Sequence, residues 1–103
     1  MTKGYTMINY NETTVYTVRL HVIRWDSETG IKLDSCRNSV NFPNRAGAAN
    51  SAYAKFTELV GEWQAELALT KTVNVSANVE MLVEDVCNGN RISLVYWSDE
   101  VIR

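Results

Sequence analysis

The sequence predicts a two-layer α+β sandwich: a four-stranded, mainly antiparallel sheet in ββαββ order with one long helix on one face. Three observations predict it. Apolar residues keep a helical rhythm over only one long stretch, Ala46 to Leu69. From Val73 to Val83 the rhythm changes to strict alternation, the period of a strand with one dry side. Two turn signals, Asp26 to Gly30 and Asn88-Gly89, each separate a pair of strand-like runs.

Taken in order, residues 1–12 are polar and aromatic and read as an N-terminal arm or a short edge strand. A single domain is expected over 13–103. Thr13 to Trp25 is rich in β-branched and aromatic residues. Val18, Leu20 and Val22 share one face of this first strand, and Thr17, Arg19, His21, Ile23 and Trp25 share the other. Gly30 suits a positive φ at the exit of the turn. Ile31 to Phe42 is the second strand, closed by Pro43, which holds Phe42 extended. Which face of the first strand is buried does not follow from this hairpin alone.

Asn44 is the expected N-cap of the helix. A start as late as Asn50 or Ser51 is the alternative. Ala49, Tyr53, Phe56, Val60, Trp63 and Leu67 recur at steps of three and four and line one face. Gly47 and Gly61 should each weaken the helix by about 1 kcal/mol relative to alanine. Lys71 suits the negative end of the helix dipole. In the third strand Val73, Val75, Ala77, Val79, Met81 and Val83 should face the helix, with a bend or bulge near Ser76 to Asn78.

Asn88-Gly89 matches a two-residue type I′ turn. That loop would set Val83 opposite Leu94 and Met81 opposite Tyr96. Leu82 and Glu80 would then face Val95 and Trp97 on the reverse side. The two hairpins could join with the first and last strands adjacent, or each could pair with a partner chain.

Composition bounds what such a domain does. The chain has 103 residues, 46% of them hydrophobic and 21% charged, so it can close a core without a staple. Cys36 and Cys87 belong to no C-x-x-C pair, and nothing marks the chain as secreted, so a disulfide is not expected. The sequons at Asn11 and Asn74 read as chance for the same reason. No run is apolar enough for a membrane span, and the chain reads as cytoplasmic. The net charge of −2 conceals a basic first half and an acidic second half. Such asymmetry can steer association.

No catalytic motif is present. His21 is the one histidine, and an enzyme would need it beside Cys36. No metal-ligand spacing and no cofactor motif occurs. The expected function is therefore binding: a small regulator or inhibitor of another protein, of the kind carried by viruses and mobile elements. Glu58, Glu62 and Glu66 repeat every fourth residue as an acidic ridge for a protein partner. Trp25, Leu82, Val95 and Trp97, on the reverse sheet face, are the expected surface for a homodimer. The alternative is nucleic-acid binding through Arg19, Arg24 and Arg37 with Trp25 between them. The acidity of the whole chain opposes it.

Overall fold

A computed structural model describes residues 14–70 and 73–102. The expected arm or edge strand over residues 1–12, and Lys71, lie outside the described residues. The elements are β1 (Thr14–Asp26), β2 (Lys32–Pro43), α1 (Ala48–Leu69), β3 (Val73–Asp85) and β4 (Asn90–Val101). All strand pairs are antiparallel, in the order β2-β1-β3-β4, so the ββαββ α+β fold is the one observed. The hairpins join through β1 and β3 rather than through the first and last strands. Strands of 12 or 13 residues are long, and they draw the molecule out to 54 × 23 × 20 Å.

One face of the sheet is dry. Val18, Leu20 and Val22 of β1 meet Val75, Ala77, Val79 and Met81 of β3, and Ala52, Phe56 and Leu67 of α1 close over them. Each such valine or leucine contributes roughly 1.5–3 kcal/mol by leaving water. Tyr16, Phe42, Val95, Trp97 and Val101 extend this layer toward the edges. The alternation read in β1 and β3 therefore holds along both strands.

The helix sits at a different rotation at its first turns from the one the spacing predicts. Ala48 and Ala52, not Ala49 and Tyr53, face the sheet. Two alanines let the helix backbone approach the strands, whereas a tyrosine would hold it off. Tyr53 is instead 51% exposed and stacks on Phe56 with ring centroids 6.1 Å apart. The N-cap is Gly47 rather than Asn44. Its φ of 81° is left-handed, so the helix does not run back to Ala46, and the glycine removes the strain another residue would carry.

The second hairpin corrects the predicted register. Residues Val86 to Gly89 form the loop between β3 and β4, four residues rather than two. Gly89 has positive φ but Asn88 does not, so this is not a type I′ turn. Near the loop Val83 pairs with Ile92, and Leu82 with Ser93. Met81 then pairs with Val95, leaving Leu94 as an extra residue. The bulge thus lies in β4, not at Ser76 to Asn78 of β3. One unpaired residue inverts the facing of everything beyond it. Val95 and Trp97 consequently pack against the core on the helix side.

The two hairpin loops are built alike. In the first, Asp26 accepts the Glu28 N–H through Oδ1 at 2.7 Å, and its carbonyl accepts the Gly30 N–H at 2.9 Å. In the second, Asp85 accepts the Cys87 N–H through Oδ1 at 3.1 Å, and its carbonyl accepts the Gly89 N–H at 2.8 Å. Thr29 Oγ1 and Asn88 Oδ1 then take the N–H of Ile31 and Asn90. The β1–β3 register runs from Thr14 opposite Asp85 to Asp26 opposite Val73. It is unchanged when the hairpins are exchanged, so an approximate two-fold passes between Leu20 and Val79. The helix breaks this symmetry, and so do the edge strands, whose bulges fall at non-equivalent places, Leu33 in β2 and Leu94 in β4.

Candidate binding surfaces

Two surfaces remain outside the core: the exposed flanks of α1 and the open face of the sheet. On the helix, Glu58, Glu62 and Glu66 are all exposed, as their spacing requires. Glu58 is tied to Lys55, Nζ to Oε2 at 3.3 Å. Glu62 and Glu66 have no cation within ion-pair distance among the described residues. Together with Trp63 and Ala65 they border a shallow groove whose opposite wall is Arg24 of β1. The Arg24 guanidinium lies 5.5 Å from the centre of the Trp63 ring and 3.4 Å from Asp34 Oδ1. It is held by a ring and a carboxylate of its own chain.

That placement divides the three arginines of the nucleic-acid alternative. Arg24 belongs to the helix side, while Arg19 and Arg37 project from the open face. On that face His21 stands directly opposite Arg37, and Arg19 is opposite Ser39 on β2 and Glu80 on β3. With Asn78 and Tyr96 these residues border a depression of about 540 Å³. The Tyr96 hydroxyl donates to Asn78 Oδ1, and the tyrosine is 59% exposed. Tyr96 reaches this face only because of the bulge at Leu94. The alternation in β4 did not reveal it, since Leu94, Val95, Tyr96 and Trp97 are apolar or aromatic at both parities.

The expected dimer surface does not assemble. Trp25 and Leu82 lie on the open face, but Leu82 is 1% exposed, and Val95 and Trp97 point the other way into the core. The Val101-Ile102 end does not wrap the open face: Val101 packs with the core and Ile102 is 60% exposed. The greasy reverse side predicted from the sequence is instead largely polar, with Ser35, Arg37, Ser39 and Asn41 from β2 and Ser76, Asn78 and Glu80 from β3.

His21 and Cys36 are also separated. Cys36 is opposite Val22 and so shares the covered face, while His21 projects from the open one. The register brings their strands together and the pleat turns their side chains apart. Both cysteines are free thiols, Cys36 on β2 and Cys87 in the second loop. Among the described residues no cluster of three metal-ligating side chains forms, and no helix is long and apolar enough to cross a membrane.

Charge sorts by face. On the helix side Asp34, Glu58, Glu62, Glu66 and Asp99 outnumber Arg24 and Lys55. On the open face Arg19, Lys32, Arg37 and Arg91 outnumber Glu80, Glu84 and Glu100. Comparison of the chain with family models, curated proteins and solved structures finds no match.

Proposed function

We propose that this protein works by binding, and that the acidic flank of α1 captures a basic segment of a protein partner. The observation that carries this reading is the pair Glu62 and Glu66. They stand exposed one turn apart with no ion-pair partner among the described residues, and they line one groove with Trp63 and Arg24. Like charges at that spacing cost an isolated helix a few tenths of a kcal/mol. A cationic partner would reverse the sign of that contribution. Trp63 adds an aromatic surface on which an incoming arginine or lysine stem could lie, as Arg24 does from within.

A module of this kind acts stoichiometrically, as a regulator or inhibitor does. The test is affinity capture from the native cell, identification of the retained protein, and repetition with Glu58, Glu62 and Glu66 all replaced by lysine. Exposed positions tolerate such changes within about 0.5 kcal/mol of stability, so a circular dichroism melt should hardly move. Loss of the partner with an unchanged melt supports the reading. Undiminished capture by the reversed protein overturns it.

A further inference from the structure

The geometry points to a second binding surface, independent of the first: the open sheet face takes single-stranded nucleic acid, with a phosphate between Arg19, His21 and Arg37 and a base stacked on Tyr96. His21 and Arg37 are cross-strand partners, and Arg19 follows His21 on the same face about 7 Å along the strand. Two guanidinium groups and an imidazole thus crowd one small area. Arg19 and Arg37 lie diagonally across the strand pair, where their two positive charges oppose each other mildly. Among the described residues neither Arg19 nor Arg37 has a carboxylate within ion-pair distance, although Glu80 stands opposite Arg19 on β3. An anion in the neighbouring depression would relieve that repulsion.

Three features select a single strand. The polar depression is flanked by an exposed aromatic ring on the same face, and the Tyr96–Asn78 hydrogen bond steadies that ring. An exposed ring is useful only to a base whose own faces are free, which a duplex does not offer. The accessible part of the face runs from Arg19 to Trp25 on β1, about 20 Å, since Thr17 and Leu82 beyond it are buried, and it has room for a few nucleotides. Finally, the acidity that argues against nucleic acid at the level of the whole chain is gathered on the helix side. The open face itself carries four basic side chains against three carboxylates, one of which, Glu84, is taken up by Arg91. Glu80 bounds the cluster on its β3 side and confines a phosphate to the β1–β2 half.

The test is fluorescence anisotropy of a labelled thymidine oligonucleotide of about a dozen residues, titrated with the intact chain over a series of salt concentrations. Binding is expected at low salt and should fall as salt rises. Arg19→Gln and Arg37→Gln should each weaken it and reduce the slope of log affinity against log salt by about 0.7 for each phosphate no longer neutralised. Tyr96→Ala should weaken it about fivefold or more while leaving that slope alone. Glu80→Gln should tighten it. No retention at low salt overturns the proposal, as does native affinity in the Arg19→Gln, Arg37→Gln double variant. Equal affinity for a duplex of matched length overturns it too, and so does binding of inorganic phosphate without the oligonucleotide. None of these failures touches the acidic flank of the helix.

Discussion

The β1–β2 and β3–β4 hairpins match in length and in loop geometry, yet the helix treats them differently. From β4, the helix layer receives Val95, Trp97 and Val101; from β2 it receives Phe42, while Val40 is 37% exposed and Cys36 is half-buried. Two determinants come apart here. Both loops are written by an aspartate four residues ahead of a glycine, with Thr29 or Asn88 just before the glycine adding a further acceptor. What the edge strand contributes to the core depends instead on its side chains and on where its bulge falls, at Leu33 in β2 and at Leu94 in β4.

Unequal cover is the boldest difference between the hairpins and the easiest to break. Trp97→Ala should cost about 2–3 kcal/mol, somewhat less than a fully buried tryptophan would, and Val40→Ala under about 1 kcal/mol. Urea unfolding midpoints measure both. Similar losses would mean that the helix covers the two hairpins equally. The loops come next. Asp85 is 3% exposed and Asp26 is half-buried, so Asp85→Ala should cost about 2 kcal/mol and Asp26→Ala about 1 kcal/mol.

Gly30→Ala and Gly89→Ala probe the shared conformation directly. Their φ values are 74° and 79°, and an added Cβ meets nothing within 4 Å at either site. Backbone strain is then the whole effect, and each should lose a matched 1–2 kcal/mol or so in thermal denaturation. A difference above about 1 kcal/mol would show that the loops are alike only in outline. Gly61→Ala is the smallest change and lies outside both hairpins. Its Cβ also meets open space, but inside a helix, so it should stabilise by about 0.5–1 kcal/mol. A loss there would mean that the helix needs the glycine for packing.

Much of this fold is legible in the chain. Alternation is clear in β3 because polar residues occupy the opposite parity everywhere but Leu82, whereas in β1 Val15, Ile23 and Trp25 blur it. The Asp-to-Gly loop is legible at residues 26–30. At the second loop the Asn-Gly pair drew the register toward a shorter turn, although Asp85 stood in the same relation to Gly89. The facing of β4 is not legible: Leu94 with Tyr96 and Val95 with Trp97 present equally apolar choices, and only a bulge decides between them. The helix rotation is ambiguous for a similar reason. Ala48 and Ala49, four residues ahead of Ala52 and Tyr53, offer two plausible stripes, and close approach to the sheet selects the smaller one. The acidic ridge follows from spacing alone. The Arg19–His21–Arg37 cluster needed the β1–β2 pairing, and Arg24 could not be separated from it without knowing where Trp63 would lie.

Among the described residues β2 is an outermost strand with no neighbour on its far side, and nearly all of its residues are exposed. Its outward amides and carbonyls form a template onto which another extended chain could zip. What discourages indiscriminate stacking is the scatter of Lys32, Asp34 and Arg37 along it, with Pro43 at its end. The charges placed to guard that edge are ones that contribute almost nothing to the stability of a lone molecule.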